Sequence, residues 1–376
     1  MLSCCARLLC LIALVACVHG QSLNCTVENL YVMNQGFSNS DAVVDIANNF
    51  AMAGFPSANG HVEIFEWDGI WGTTGLFSGD SLNSTGSYAN CGAAVSITDR
   101  TANPQAFIGC PGISLVVVME KNPNTQNWDA IQVIKGENSS GNKFGASLSV
   151  AVGSAASMSG KSILVVGDPI TNQGQVSIYS LDTTTNKWIF FQLLVMTPEE
   201  QQTRSGFGTS VSLANSASIL AVGAPYAVND SAPGAVFLFD AFYKLDQFFR
   251  VASLYVDENG DFFGYSVGAF GSSAEGGTAK WKENGVVVGA PASQYAILYS
   301  RETFDHLGVV YNQHLSNLKS GVSNIYGYSV AVDHNYPGGC VLPVVSIKGS
   351  ACEGGVYSYM YHDGWGSYFY TNTTLS

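Results

Sequence analysis

From about residue 40 onward, apolar positions fall into short runs that alternate with polar ones, and Gly, Pro or Asn bounds most of them. Val62-Glu63-Ile64-Phe65 and Val176-Ser177-Ile178-Tyr179 are examples. A period of two between turn formers predicts β-strands. No stretch carries a convincing helical period, so the pattern predicts an all-β chain of many short strands.

The runs also recur as a unit. An aromatic-Gly-x-Ser-Val segment leads to an apolar strand ending in Val-Gly-Ala-Pro. Three copies are strong: Phe144-Gly145-Ala146-Ser147-Leu148 with Val166-Gly167-Asp168-Pro169, Phe207-Gly208-Thr209-Ser210-Val211 with Val222-Gly223-Ala224-Pro225, and Phe263-Gly264-Tyr265-Ser266-Val267 with Val288-Gly289-Ala290-Pro291. Two are degenerate. Cys91-Gly92-Ala93-Ala94-Val95 leads to Gly109-Cys110-Pro111, and Tyr326-Gly327-Tyr328-Ser329-Val330 leads to Val341-Leu342-Pro343-Val344-Val345, where Gly-Ala-Pro is lost. A sixth, at the front, keeps Phe50 to Pro56 without the aromatic-Gly. Each unit adds a third strand opening near Gly60, Gly174, Gly234 or Gly355, and a fourth opened by an aromatic, with Trp71, Trp128, Trp188 and Trp365 as candidates.

A spacing of roughly 53 to 63 residues between the paired glycines suits one four-stranded propeller blade. A single blade cannot bury both faces of its sheet, so blades stack radially. Over roughly residues 40 to 370 the repeat resembles the FG-GAP repeat of integrin α-subunits. The resemblance implies a β-propeller of four-stranded antiparallel blades, six in number with seven as the alternative. It also implies an extracellular setting and ligand recognition across one face. Thr26 to Met33 is expected to add a strand to the last blade or to stand for remnants of a seventh.

Composition agrees. Of 376 residues 47% are hydrophobic and only 11% charged, enough for one large domain, or two ordinary ones, with a buried core. A formal charge of −13 repels phosphate backbones, which argues against a nucleic-acid partner. Residues 1–20 read as a secretory signal, with Leu8 to Val18 as its apolar core and Gln21 as the mature start, leaving 21–376 as the propeller domain. No other run is long enough to span a membrane. Sequons at Asn24, Asn83, Asn138, Asn229 and Asn372 agree with secretion. Cys91 with Cys110 and Cys340 with Cys352 are the expected disulfides, leaving Cys25 free, paired to another chain, or a sign that the pairing differs.

Motifs that promise chemistry dissolve into the repeat. Gly264-Tyr265-Ser266-Val267-Gly268 matches a nucleophile elbow, but Ser147, Ser210 and Ser329 stand at the same place in their copies, and a residue repeated in every blade serves the blade. Gly160-Lys161-Ser162 lacks the first glycine and the helix of a phosphate loop, and reads as a turn. Asp257, Asn259 and Asp261 alternate as in a calcium loop, but Phe262 occupies the glycine position and no bidentate Glu closes it; an acidic hairpin is the plainer reading. Gly153 to Lys161, Asn215 to Ser218 and Phe270 to Asn284, loops between first and second strands where the resembled family binds calcium, hold no aspartate. His61, His306, His314, His334 and His362 have no metal-ligand spacing. No cofactor is expected and no catalytic set is visible.

Antiparallel order places the loops joining strands two to three and four to one on one face. Asn83, Asn138 and Asn229 fall in such loops, and Asn372 ends the last fourth strand. Tyr226, Asp230, Asp257 and Asp261 are the candidate ligand residues there, by exposure alone. The expected role is a secreted recognition or adhesion module for an extracellular protein or glycan. A matrix component, cross-linked through Cys25 into a disulfide-linked oligomer, is the alternative, and a propeller hydrolase or lyase a third.

Overall fold

In the computed structural model of the chain, the described residues are 10–14, 29–33, 43–56, 60–79, 90–99, 101–136, 143–153, 158, 160–214, 217–227, 234–242, 246–256, 262–271, 284–293, 295–301, 310–316, 325–333, 342–348, 354–360 and 369–375. They contain six four-stranded antiparallel sheets. The first comprises Val43–Ala47, Phe50–Phe55, His61–Trp67 and Trp71–Ser78. The second comprises Ala94–Thr98, Gln105–Cys110, Leu115–Lys121 and Trp128–Lys135. Ser147–Val152, Ser162–Asp168, Gln175–Asp182 and Lys187–Val195 make the third. Ser210–Leu213, Ile219–Ala224, Ala235–Phe242 and Gln247–Tyr255 make the fourth. The fifth runs Ser266–Gly271, Asn284–Ala290, Tyr295–Arg301 and Val310–Ser316. The sixth runs Ile325–Asp333, Leu342–Lys348, Gly354–Met360 and Phe369–Leu375. First strands of consecutive sheets pack side by side, so the sheets follow one another as propeller blades.

The core lies between blades. In Ser162–Asp168, Ile163 and Val165 face the fourth sheet's Val211, Leu220 and Phe237, while Leu164 and Val166 face the second sheet's Phe107, Val116 and Val118. A strand buried on both faces needs apolar residues at every position, which explains why second strands read as continuous apolar runs.

Glycine sets how closely blades approach. A methyl group on Gly54, Gly109, Gly167, Gly223 or Gly289 would collide with the carbonyl of Gly92, Gly145, Gly208, Gly264 or Gly327 respectively, each in the next blade. These five partners have φ between +83° and +90°, a region that only glycine enters cheaply. Gly145, Gly208 and Gly264 also donate their N–H to the Gly-Ala-Pro glycine carbonyl of their own blade, at 3.0, 3.0 and 3.1 Å. Ser147, Ser210 and Ser266 donate their Oγ–H to the Gly208, Gly264 and Gly327 carbonyls, at 2.8, 2.8 and 3.0 Å. The repeat's serine is thus a bolt between blades.

A second ladder joins first strands. Asp45 Oδ2 accepts the Ile97 N–H at 2.9 Å and the Ser96 hydroxyl at 3.0 Å. Ser96, Ser149 and Ser212 accept the N–H groups of Val150, Leu213 and Ala269 at 3.2, 2.9 and 2.9 Å. These amides sit on the innermost edge of a blade, and the neighbouring side chain supplies the partner that strand pairing there does not.

Several expectations are corrected. In the full chain, with residues 1–20 still attached, Asn29–Met33 does not extend the last blade; it pairs with Cys10–Leu14 in a separate two-stranded sheet, where two apolar strands satisfy each other's backbone. No seventh four-stranded sheet occurs among the described residues. Asn372 lies inside the strand Phe369–Leu375, opposite Tyr357, rather than at its end. The last fourth strand starts at Phe369, and Trp365 lies outside the described residues. In the fourth blade Phe248 takes the buried place that Trp128 and Trp188 hold in theirs. One short helix, Pro198–Thr203, escapes the periodicity, although Thr197 and Glu200 form a capping box at its start.

Gly223→Ala should abolish folding or cost about 3 kcal/mol or more, as a buried overlap with backbone does, whereas Ser210→Ala should cost about 1 kcal/mol for one hydrogen bond. Urea unfolding of the two variants measures the contrast.

Candidate functional site

Because the scaffold uses the same residues in each blade, departures from the repeat mark side chains kept for another purpose. The position after each paired glycine holds Ala93, Ala146 and Thr209 in blades two to four, but Tyr265 and Tyr328 in blades five and six. Two residues before that glycine stand Asn90, Lys143, Gly206, Phe262 and Ile325, of which Asn90, Gly206 and Phe262 have φ of 47°, 77° and 57°. Asn and Gly tolerate that region; a phenylalanine there costs on the order of 1–3 kcal/mol. Phe262 is nevertheless 41% exposed.

Tyr226, the one candidate ligand residue within the described set, meets Phe262. Its strand Tyr226–Ala227, in the loop joining strands two and three of the fourth blade, pairs with Arg204–Ser205 in the loop entering that blade. That pairing confirms that the two loop types share a face. The Tyr226 ring lies over Gly206, where a larger residue would displace it. It is 38% exposed and meets Phe262 edge-on, with centroids 5.7 Å apart and planes at 74°. Tyr265 and Tyr328 lie 5.3 Å apart at 42°. Burial, and then the Tyr328 hydroxyl, raise the Tyr226 phenol above its ordinary pKa. Asp230, Asp257, Asn259 and Asp261 lie outside the described residues, though the sequence sets Asp261 directly before Phe262.

Other polar side chains are committed to blade junctions. Lys121 Nζ pairs with Glu66 at 2.6 Å across blades one and two. Burial disfavours the ionised Glu120, but amides of Asn186, Gln105 and Asn103 and the Lys187 charge outweigh it, holding the carboxyl below its usual pKa. Gln132 and Gln192 each bond both ways to the backbone of Trp188 and Phe248 in the next blade, at 2.8 to 2.9 Å. They stand beside bulges at the same place in successive fourth strands, which turn the glutamine toward its neighbour. Sequence reading missed these clamps.

The remaining motifs take the following places. Ser266 opens a strand rather than a helix. Gly160 turns with φ of 73°, and Lys161 pairs with Asp246 and lies over Phe191. His61 Nε2 is 3.1 Å from Glu63 Oε1. Among the described residues no group of three acidic, His or Cys side chains could hold a metal. Cys91 and Cys110 are disulfide-bonded, linking the aromatic and alanine positions of the second blade's repeat. Cys25, Cys340, Cys352, Asn24, Asn83, Asn138, Asn229, His306, His334 and His362 lie outside the described residues, as do the side chains of His314 and Asn372.

No protein-family model and no curated protein matches the chain. Solved structures do. A functionally unknown protein from Desulfotomaculum acetoxidans superposes with a TM-score of 0.53 at 8% identity, over 87% of this chain and 79% of that one. A Lactobacillus plantarum protein gives 0.52 at 12%, over 89% and 86%. The Dos1 propeller gives 0.53 at 12%, over 89% and 70%. At such identities the likeness shows the fold alone: an all-β propeller of four-stranded antiparallel blades.

Asp45 gives a pH prediction. Burial, partly offset by the Ile97, Ser96 and Ile46 hydrogen bonds, raises its pKa from 3.8 to about 6. Because the folded value is the higher one, Asp45 favours folding most below the unfolded pKa, and that contribution is lost as pH rises through about 6. Relative to Asp45→Asn, the wild type should lose on the order of 2 kcal/mol between pH 4 and 8, discounted for partial exposure. Denaturant midpoints of both proteins across that range measure it.

Proposed function

We propose that this protein is an extracellular recognition propeller of the FG-GAP type, which binds a protein or glycan through the loops of one face. The observation that carries the reading is the half-exposed Tyr226–Phe262 corner on that face, with Phe262 in a left-handed backbone conformation. Its supports in the sequence are the signal at residues 1–20, cleaved before Gln21, and the five sequons. The chain acts by binding rather than catalysis, since the serines that invite an enzymatic reading are committed to neighbouring carbonyls. In this reading six blades make the ring, Asp230, Asp257 and Asp261 stay candidate ligand residues by their place in the sequence, and the binding needs no metal.

The test is expression of the full chain in a cell line with a secretory pathway. The expected product is a glycosylated, secreted protein starting at Gln21, with Cys91–Cys110 and Cys340–Cys352 found by non-reducing peptide mapping. Labelled protein should bind cell surfaces or extracellular matrix, unaffected by EDTA, and Tyr226→Ala should remove the binding. Retention inside the cell, or surface binding indifferent to Tyr226→Ala, defeats the proposal. A polymer lost on Cys25→Ser points to the matrix role instead.

A further inference from the structure

We propose that the outermost strand of the third blade, Lys187–Val195, pairs edge to edge with the same strand of a second copy of this chain. The inference concerns the rim of the propeller rather than its loop face, and it stands independently of the recognition reading.

Four large apolar side chains lie half-exposed on this strand: Ile189 at 50%, Phe190 at 54%, Leu193 at 45% and Val195 at 48%. Matched through strand pairing, the other outer strands break such a run. The first blade sets Gly72, Thr73 and Ser78 around Leu76, and the second sets Asp129, Ala130 and Lys135 around Val133. The fourth places Arg250 and Ser253 between Phe249 and Tyr255. The fifth and sixth carry Asn312-Gln313-His314 and Thr371-Asn372-Thr373-Thr374, the latter with a sequon. In the third blade even the two polar side chains are committed. Lys187, at the end of the strand, donates its Nζ to the Ile131 carbonyl at 2.5 Å, and Gln192 is bonded to the Phe248 backbone.

The backbone says what kind of partner fits. The third sheet ends at this strand, so among the described residues no strand takes up its outward N–H and C=O groups. Another extended backbone answers such a row, whereas a sugar or a lipid does not. A bulge at Phe191 interrupts the strand, as in blades one, two and four, and leaves Gln192 to Val195 in regular register.

Charge says whose strand it is. At a net −13 two copies repel over most of their surface, so an edge that joins them must add no opposed charges. This edge meets that condition against itself. Gln192 is the one polar residue from Trp188 to Val195, so antiparallel registers set apolar side chains opposite one another. Monomeric proteins protect a long apolar edge with outward lysines or prolines, and this strand has neither between 188 and 195. The four half-exposed side chains offer on the order of 300 Å² per copy, below the ~800 Å² of a standard interface. The dimer is therefore reversible and forms at roughly micromolar concentrations and above.

The full chain, expressed in a cell line with a secretory pathway, should be followed by sedimentation equilibrium across the micromolar range, with and without reductant. The expected result is a monomer–dimer equilibrium that reductant leaves unchanged. Hydrogen exchange should slow in residues 189–195 as the dimer forms, and in no other outer strand. Leu193→Lys sets like charges against each other and should weaken the dimer about tenfold or more. Leu76→Lys, on the outer strand of the first blade, should leave it unchanged. Both positions face water, so equal thermal midpoints show that neither variant has lost its fold. The proposal falls if the chain stays monomeric throughout, if the dimer ignores Leu193→Lys, or if protection appears on another strand. A dimer that reductant or Cys25→Ser dissolves is a disulfide-linked one and overturns it. So does a monomer whose 189–195 amides are protected only by a different protein.

Discussion

Everything in this propeller depends on backbone meeting backbone at a pair of glycines. Neighbouring blades come together where the Gly-Ala-Pro glycine of one faces the aromatic-Gly glycine of the next, and neither position has room for a methyl group. At Gly208 and Gly264 the second glycine does three things at once. It takes a left-handed φ, closes its own blade through its N–H, and offers its carbonyl to a serine of the preceding blade. At these two junctions the glycine amide and carbonyl both find partners while the sheets approach closely, which is the condition for stacking sheets face to face.

That constraint explains which copies of the repeat are incomplete. The first unit lacks the aromatic-Gly half and the sixth lacks the Gly-Ala-Pro half. Five junctions join six sheets in series, and each uses the rear half of one unit and the front half of the next. The two missing halves belong to none of those five. In the sixth sheet, carrying on the register in which Val330 opposes Val345 places Ser346 where the other blades have glycine. Degeneracy at the ends of the repeat therefore follows from junction geometry.

The same logic separates scaffold from site. Serine at the fourth position of the repeat resembles a nucleophile, yet its oxygen is fixed on the neighbouring glycine. Tyr265 and Tyr328 break a pattern of small side chains that blades two to four keep, and Phe262 stands against the preference of its own backbone. Asp45 is a different departure: at the head of the inner ladder it takes the role that Ser96, Ser149 and Ser212 fill further round. There the substitution makes one junction sensitive to protonation.

The amino-acid sequence by itself determined the strands, the order of four per unit, the glycines and the Cys91–Cys110 bridge. Each of these follows from a local requirement: period-two burial, a left-handed turn, or two cysteines brought together by adjacent strands. It did not determine where the N-terminal strand pairs, since Asn29–Met33 and the segment Cys10–Leu14 match by apolarity alone. Nor did it reveal that Gln132 and Gln192 clamp backbone 56 residues away, or that Tyr226 lies against Phe262. Those contacts arise only when one blade is set beside the next. A bulge, the twist of a strand and the closeness permitted by a glycine pair decide which side chains then meet, and none of these leaves a periodic signal in the chain.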